Sequence, residues 1–279
     1  MTVDVDSWSS LLSFYSVNHI RDVKEESVGV EEGLEKLLKI FDSHEIKATF
    51  FVPARVCLDH SAVINEARRS GHEIACHGLS HDKREFLGEL EDQKQKIREA
   101  TRIILESTGV RPVGFRAPVL RMSHLTLTAL ATLHYVYDSS VVPAFVPRYY
   151  GNVSAPMKPY RPCFQSLERK GRCRILELPV SVNPIVRLPL SAAWMRNLGS
   201  SWVRAGINLN FSLGNPILFY IHPRDVVDMP RREGVPWHVY RNTGDRAIKM
   251  LDEIIGHAKK LRAKFVTAVD FAKMYGLGE

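Results

Sequence analysis

Short apolar segments with the composition of β-strands alternate along this chain with segments of helical periodicity. Gly33–His44 repeats its apolar residues at the spacing of an amphipathic helix, and Ala48–Val52 after it is a short apolar run. Ser61–Ser70, with Gly71 behind it, predicts a second, capped helix, and Glu73–Cys76 predicts the next strand. Strands that alternate with helices of this length form βαβ units with a parallel sheet. The sequence therefore predicts an α/β fold.

The same alternation continues to the C-terminus. We predict further helices over Gly88–Gly109, Ser123–Leu133 and Asn242–Leu261, and further strands over Thr2–Val3, Val113–Phe115, Tyr135–Tyr137, Ile175–Val180, Ile217–Ile221 and Phe265–Ala268. Pro143–Lys170 is the exception, because it is rich in Pro, Tyr, Arg and Gly and has no clear period. We predict a long excursion over one face of the molecule there. No repeat or linker divides the chain, so we predict one domain over residues 1–279.

Length and composition describe a folded protein with a sizeable core. The chain has 279 residues, of which 45% are hydrophobic and 25% are charged. It has no apolar run of the ~18 residues that a membrane span requires, so no membrane partner is expected. The N-terminus lacks the pattern of a signal peptide, which predicts a cytoplasmic protein. Only Met1 precedes the first strand, so a start further upstream is the alternative.

The net charge of +7 is moderately basic. The basic clusters are pairs: Arg68-Arg69, Arg169-Lys170, Arg231-Arg232 and Lys259-Lys260. They are shorter than the roughly five to eight basic residues of a nucleic-acid-binding patch, so no nucleic-acid partner is expected. A solvated surface is the preferred interpretation, and a site that favours an anionic substrate is the lesser one. The four cysteines form no CxxC pair and are expected to be reduced. A homo-oligomer is left open.

The strongest chemical signal is His77-Gly78-Leu79-Ser80-His81, together with Asp4-Val5-Asp6 near the N-terminus. Two histidines four apart can present both imidazoles to one point, because such residues share a face of a helix or helical turn. A carboxylate from elsewhere completes a three-ligand set with an open position for water, which is the composition of a catalytic metal site. Cys76 precedes the motif, and we expect it to be a core residue rather than a ligand.

Further motifs follow in order along the chain. They are Arg116-Ala117-Pro118, then Tyr137-Asp138-Ser139-Ser140, then the apolar segment Phe219-Tyr220-Ile221-His222-Pro223. With the aspartates and the histidine pair, this order resembles the polysaccharide deacetylases of the NodB-homology type, carbohydrate esterase family 4. The resemblance implies a distorted (β/α) barrel of about seven parallel strands, with the active site at their C-terminal ends. It implies a metal-dependent hydrolase that removes N-acetyl or O-acetyl groups from an acetylated sugar or polysaccharide.

The resemblance also assigns roles to the metal-side residues. Asp6, His77 and His81 would hold a divalent ion, and this ligand set suits zinc, with cobalt and nickel as alternatives. Asp4 lies two residues from Asp6 on the same strand end and is the expected general base. Arg116 matches the family arginine that pairs with this base, since an adjacent guanidinium orients a carboxylate.

The remaining assignments concern the leaving group and the carbonyl oxygen. His222 is the expected general acid, which protonates the departing amine. The backbone N–H of Val119 occupies the position that faces the oxyanion in the family. Asp138 is expected to have a structural role, capping a turn with Ser139 and Ser140.

The chain departs from the family at three motifs, and one of these is the arginine motif, which reads Arg116-Ala117-Pro118-Val119-Leu120 without the usual Tyr-Gly. Its aspartates are separated by Val5, a variant found in a branch that includes peptidoglycan-deacetylase-like proteins and amidohydrolases of small cyclic imides or ureides. Leu178–Ser181 occupies the region of the fourth family motif without its Asp and Trp, so no tuning of His222 is expected. One alternative is therefore an amidohydrolase with a closed pocket, for which Pro143–Lys170 would form a lid. A non-catalytic carbohydrate-binding relative is disfavoured, because ligands, base and acid are all present.

Overall fold

A computed structural model describes residues 1–17, 22–146 and 150–276. The strands are β1 Thr2–Asp4, β2 Thr49–Val52, β3 Glu73–Cys76, β4 Gly114–Phe115, β5 Tyr137–Asp138, β6 Phe145–Val146, β7 Tyr150–Gly151, β8 Pro162–Cys163, β9 Ser166–Lys170, β10 Leu176–Glu177 and β11 Tyr220–Ile221. The α-helices are α1 Trp8–Phe14, α2 Val23–Ser27, α3 Gly33–Ser43, α4 Ala54–Asp59, α5 Ser61–Arg69, α6 Leu90–Thr108, α7 His124–Thr132, α8 Ala192–Leu198, α9 Ser200–Ser212, α10 Asp245–Lys260 and α11 Ala268–Gly276. A π-helical turn, Val28–Glu32, joins α2 to α3.

Seven strands form one parallel sheet in the order β10-β5-β4-β3-β2-β1-β11. The two edge strands, β10 and β11, are linked through the segment that follows β10. Ser181 N–H donates to the carbonyl of Leu218 at 3.0 Å, and Ser191 bridges Tyr220 in parallel register. The sheet is therefore curled into an almost closed barrel, and the predicted distorted (β/α) barrel of about seven strands is confirmed.

The two faces of the sheet pack against different partners, because successive side chains on a strand point to opposite faces. Val3 and Phe50 point outward into the large apolar cluster under the surrounding helices. Phe51 points inward, into a smaller cluster that α11 completes. Ala268 N–H at the start of α11 donates to Thr49 Oγ1 at 2.8 Å. Since Thr49 begins β2, α11 closes the N-terminal end of the barrel and leaves the C-terminal end free for a site.

One predicted element is wrong in kind. Phe265–Ala268 is not a strand, because residues 263–267 are irregular and α11 begins at Ala268. The cause is local capping: Thr267 Oγ1 accepts from the backbone N–H of Asp270 at 3.3 Å, and Asp270 Oδ2 accepts from the Thr267 hydroxyl at 2.7 Å. Such a cap favours a helix start over the β-propensity of this segment. The sequence analysis also missed α1, α2, α4, α8 and α9.

The Pro143–Lys170 excursion contains two antiparallel hairpins rather than a structureless loop. Strand β6 pairs with β7, and β8 pairs with β9, while residues 147–149 of this excursion lie outside the described residues. Tyr160 forms an antiparallel bridge to Glu177. The end of the excursion is thereby attached to the edge strand β10.

The cysteines are free thiols in the structure. Cys76 is fully buried in the large apolar cluster, as predicted for a core residue, and burial raises the pKa of its thiol to about 12. No helix among the described residues has both the length and the apolar composition needed to cross a bilayer.

Candidate active site

Asp6, His77 and His81 converge at the C-terminal end of the barrel. One potential ligand atom from each lies within 4.8 Å of the other two. His81 Nε2 is 2.8 Å from Asp6 Oδ1, and His77 Nε2 is 3.3 Å from the same oxygen. All three side chains are buried. The structure thus brings together the three residues that the sequence analysis singled out as metal ligands.

The segment between the two histidines is an irregular loop, which corrects the helical turn expected from their spacing. Gly78 and His81 both have left-handed backbone conformations, with φ of 80° and 63°. These two residues bend the chain so that the second imidazole folds back toward the first. A Cβ atom at Gly78 would lie 2.7 Å from Glu85 Oε1, so only glycine fits this position.

The carboxylate of Glu85 holds this loop in place, a role that the sequence analysis missed. Glu85 is 3% exposed and accepts hydrogen bonds from the backbone N–H groups of Leu79, Ser80 and Asp82. It also accepts from the Ser80 hydroxyl at 3.1 Å. One buried side chain therefore fixes the segment that supplies two of the three ligand candidates.

The atoms of this cluster fit a bound cation. Asp6 Oδ1 and His81 Nε2 are buried and lie 2.8 Å apart without the angles of a hydrogen bond, and neither has another partner among the described residues, although buried polar atoms normally have one. His77 Nδ1 lies 2.7 Å from the carbonyl of Arg116, which accepts its proton and leaves Nε2 free to ligate. Two imidazole nitrogens and a carboxylate oxygen suit a divalent transition metal such as zinc.

The charges around Asp6 also favour its ionised form. Burial raises the pKa of this carboxyl group, but His81, His77 and Arg224 outweigh burial and hold the pKa well below its usual range. Arg224 Nη1 donates to Asp6 Oδ2 at 3.0 Å. The sequence analysis did not single out Arg224, although it lies two residues after His222.

Asp4 is held by Arg116 inside the barrel. Asp4 is 3% exposed, and its Oδ1 accepts from Arg116 Nη1. Arg116 is fully buried and donates from Nε and Nη2 to the carbonyl and hydroxyl oxygens of Ser139, both at 2.9 Å. Its guanidinium also lies 4.1 Å above the ring of Phe51. Arg116 is therefore fixed on several sides and orients the Asp4 carboxylate.

A pair of buried carboxyl groups supports this arrangement from behind. Asp138 accepts from the hydroxyl and N–H of Ser140 at 2.7 and 3.2 Å, which confirms its predicted role as a turn cap. Glu177 pairs with Asp138 across strands β10 and β5. Burial, and then the nearby Asp138 charge, raise the pKa of Glu177 well above its usual range. Ser140 Oγ in turn accepts from Ala117 N–H at 2.8 Å and so anchors the turn that follows Arg116.

That turn contains two successive residues in the left-handed region, Val119 and Leu120, with φ of 50° and 57°. This conformation is strained for a β-branched residue, and such strain is concentrated at functional sites. Val119 lines the pocket between the aspartates and His222. Its N–H donates to no acceptor among the described residues, so it is free to bind an oxygen in the pocket.

His222 faces the pocket from the end of β11. Its Nδ1 is 3.2 Å from Asp225 Oδ2, and its Nε2 is 3.5 Å from Asp6 Oδ2. Because an ionised carboxylate only accepts hydrogen bonds, Nδ1 holds a proton and Nε2 points into the site. Burial raises the pKa of Asp225, but Arg196 and His222 outweigh it and hold the pKa well below its usual range.

Asp225 corrects the expectation that His222 lacks a tuning carboxylate. The sequence analysis looked for this partner at residues 178–181, whereas the chain supplies it three residues after His222, on the same short turn. Arg196 Nη2 lies 3.0 Å from the other oxygen of Asp225 and fixes its orientation. The signal was present as His222-Pro223-Arg224-Asp225, in which proline begins a 3₁₀ turn.

The pocket that these groups surround has a volume of about 150 Å³. Its outer wall is α1, through Leu11 and Phe14, and the adjoining Tyr15. None of the described residues of Pro143–Lys170 lines it, so the lid expected from that excursion is replaced by α1. Asp6 and α1 are joined by a single residue, Ser7, whose hydroxyl caps the helix by accepting from Ser10 N–H.

Comparison with known families agrees with the fold. Residues 27–137 match the family model described as polysaccharide deacetylase, and residues 139–273 match a model described as a domain of unknown function. A peptidoglycan deacetylase-like protein of Gibberella zeae is 32% identical over 166 residues, which are 56% of this chain and 47% of the relative. A peptidoglycan deacetylase of Helicobacter pylori is 26% identical over 152 residues, or 54% of this chain and 52% of the relative.

Solved structures share the architecture of the whole chain. A Mycobacterium smegmatis protein classed as a polysaccharide deacetylase superposes with a TM-score of 0.73 at 23% identity, covering 98% of this chain and 88% of the other. An allantoinase superposes with a TM-score of 0.66 at 19% identity, covering 98% and 82%. At these identities the likeness concerns the fold. The chain spans about half the length of the curated relatives it matches.

Fold and motifs together define a (β/α)-barrel protein of the NodB-homology type. Over residues 27–137 the chain is similar to the polysaccharide deacetylases.

Proposed function

We propose that this protein hydrolyses the N-acetyl or O-acetyl groups of an acetylated sugar or polysaccharide with the help of a bound divalent metal. The observation that supports this most directly is the cluster of Asp6, His77 and His81, in which buried ligand atoms lack hydrogen-bond partners. We propose zinc as the metal, with cobalt and nickel as the alternatives that the same ligand set accepts. A bound ion would supply Lewis-acid polarisation of the attacking water and the acetyl oxygen.

Asp4 is the proposed general base. Its carboxylate lines the same pocket as the metal ligands and is oriented by the hydrogen bond from Arg116. In this role Asp4 accepts the proton of the water as it attacks the acetyl carbon. Arg116 is a positioning residue, since it contacts the base and is itself buried behind it. The free N–H of Val119 would donate to the carbonyl oxygen as negative charge develops there.

His222 is the proposed general acid. Its protonated Nδ1 faces Asp225, so Nε2 is the atom that delivers a proton to the leaving amine. A carboxylate behind a catalytic imidazole fixes its tautomer and stabilises its charged form. Asp4 and His222 lie at the ends of different strands and line one pocket. The base therefore reaches the attacking water from one wall of the pocket, and the acid reaches the leaving amine from another.

We also propose that residues 1–279 act as one NodB-like unit. The proposed site takes Asp6 from before the first matched region, His77 from inside it and His222 from the second. Each region alone would therefore lack part of the catalytic set.

The proposal is tested by acetate release from N-acetylglucosamine oligomers and peptidoglycan fragments, using protein purified without added metal and then loaded with zinc. We expect about one metal ion per chain and acetate release that chelation abolishes and zinc restores. Metal-loaded protein that releases no acetate from any acetylated sugar would contradict the proposal.

A small-amide hydrolase is the second candidate, and the pocket favours it. The volume of about 150 Å³ is small for a ligand pocket, and α1 forms its outer wall. Hydrolysis of a cyclic ureide by metal-loaded protein that leaves acetylated sugars intact would select this candidate.

A further inference from the structure

Two arginine side chains line the pocket next to the proposed catalytic groups. Arg121 lies two residues after Val119, and Arg224 lies two residues after His222. The proposed proton transfers use neither guanidinium group, because Asp4 accepts the proton of the water and His222 donates the proton to the amine. Their positions place one cation on the oxyanion side of the pocket and one on the leaving-group side.

Both guanidinium groups have hydrogen-bond donors to spare. Arg224 uses Nη1 for Asp6 Oδ2 at 3.0 Å, and a guanidinium has five N–H donors in a planar fork. The side chain of Arg224 is 12% exposed and lines the pocket. Arg121 is exposed at the pocket and has no carboxylate partner among the described residues.

The acidic residues of the pocket do not neutralise the charges of Arg121, Arg224 and a bound ion. The acidic residues that line it are Asp4 and Asp6. Asp4 is matched by Arg116, and Asp6 would be shared between Arg224 and the bound ion. A divalent ion therefore makes the loaded pocket strongly positive. A positive, narrow pocket attracts and orients an anionic ligand.

We infer that the substrate is an acylated sugar or amide that also bears a carboxylate, and that Arg121 and Arg224 bind this carboxylate. The inference rests on the proposed hydrolysis and names the class of its substrate. Arginine forks match the planar geometry of a carboxylate with two parallel hydrogen bonds. A small planar anion also suits a pocket of about 150 Å³ better than a bulkier group.

The test uses sugars that differ only at carbon 6. These are 2-acetamido-2-deoxyglucuronic acid, its neutral uronamide, N-acetylglucosamine and N-acetylglucosamine 6-phosphate. Acetate release and equilibrium binding are both measured with the zinc-loaded full chain. We expect the uronic acid to be preferred over the uronamide by about tenfold or more in kcat/KM, since hydrogen bonds to charged groups are strong. Preference for the 6-phosphate would replace the carboxylate by phosphate and overturn the assignment.

The variants Arg121→Gln and Arg224→Gln identify the residues responsible. Each should remove most of the preference for the acid. Arg121→Gln should leave turnover of the uronamide within a few-fold of wild type, whereas Arg224→Gln is judged by the ratio of the two substrates alone, because Arg224 also contacts the proposed metal ligand Asp6. The matched control is Arg98→Gln, which alters an exposed arginine on α6 outside the pocket and should keep the full preference. Equal losses on the acid and on the uronamide would mean that the arginines act on the reaction itself and would overturn the inference.

The two measurements separate this inference from the proposed function. Acetate release at equal rates from acid and uronamide would leave the hydrolase standing and overturn the carboxylate assignment. Tighter binding of the acid, lost in Arg121→Gln, without any acetate release would support the anion site and contradict the deacetylase. Binding of neither sugar and release from neither would overturn both.

Discussion

Asp225 Oδ2 lies 3.2 Å from His222 Nδ1, and both residues belong to one turn that follows strand β11. The same carboxylate oxygen accepts from the backbone N–H of His222 at 2.9 Å. The imidazole is therefore oriented by a neighbour in the sequence, and its tautomer does not depend on a distant motif. Arg196 on α8 holds the other carboxylate oxygen at 3.0 Å and couples the turn to the surrounding helices.

Replacing Asp225 by asparagine should impair proton donation by His222 more than it impairs substrate binding. An amide at this position can present N–H instead of oxygen to Nδ1, which destabilises the protonated imidazole and disturbs its tautomer. We expect kcat to fall by about 10²-fold or more with KM within a few-fold of wild type. Steady-state kinetics with a soluble acetylated sugar measure both constants. Asp228→Asn, three residues further along at an exposed position, is the matched control and should remain close to wild type.

Asp4 and His77 should respond differently to substitution. Asp4→Asn removes the proposed base but no ligand, so the metal content should stay near one per chain while kcat falls by about 10²–10⁴-fold. His77→Ala removes a proposed ligand and should lose both metal and turnover. Elemental analysis of each purified variant reads out the metal directly. Full metal occupancy in His77→Ala would show that the ligand assignment is wrong.

Glu85 should matter for metal binding although it is no ligand. Glu85→Gln keeps the shape of the side chain but replaces an acceptor oxygen with an NH₂ group, which faces backbone N–H groups of the histidine loop. We expect the metal dissociation constant to rise by about 10- to 100-fold, the range seen when residues that orient metal ligands are changed. Competition with a chromophoric chelator gives this constant for each protein.

The matched control for Glu85 is Glu73→Gln. Glu73 is partly buried, and it accepts from the Thr49 and Tyr137 hydroxyls at 2.7 and 2.8 Å, at the opposite end of β3 from the histidine loop. This control should lower the melting temperature of the metal-free protein and leave the metal dissociation constant unchanged. If both variants weaken metal binding equally, Glu85 acts through general stability and its positioning role is wrong.

Elements with strong local signals could be predicted from the sequence. Helix α6 ends where Gly109 takes a left-handed conformation. Strand β2 lies within the predicted segment Ala48–Val52, and β3 has the predicted bounds Glu73–Cys76. The barrel follows from the alternation of such elements together with the order of the motifs. Helix α1 could not be found in this way, because its seven residues are too few to establish a period.

The residues of the candidate site also divide into those with a local sequence signal and those without one. The candidate metal ligands, the proposed base, its arginine partner and the proposed acid all belong to recognisable motifs. They could therefore be predicted from the sequence. Glu85 and Arg224 do not, because their importance comes from contacts with backbone and side chains that only the folded chain creates. The conformation of the histidine loop is a further case. Its spacing suits a helical turn, but the left-handed Gly78 and His81 set a different path.

His72 provides a test of the fold that does not involve the active site. Its Nδ1 accepts from Ala48 N–H at 3.0 Å, and its ring packs beside Phe41 and Phe50, so only the neutral imidazole fits. Burial, helped by Lys47, lowers its pKa from 6.5 to about 4. The unfolded chain therefore binds this proton more readily than the folded chain between those two values. The stability that neutral His72 contributes is complete above pH 6.5 and is lost as the pH falls toward 4.

The size of this pH effect follows from the shift, which corresponds to a loss of up to about 3 kcal/mol of unfolding free energy. Urea unfolding of metal-free protein between pH 7.5 and 4.5 measures it. His72→Asn keeps an acceptor near the position of Nδ1 but does not titrate, so its unfolding free energy should fall less over this range than that of wild type. His257→Asn, at a more exposed histidine on α10, is the control and should retain most of the wild-type pH dependence. Parallel curves for wild type and His72→Asn would show that His72 does not titrate differently in the folded and unfolded chains.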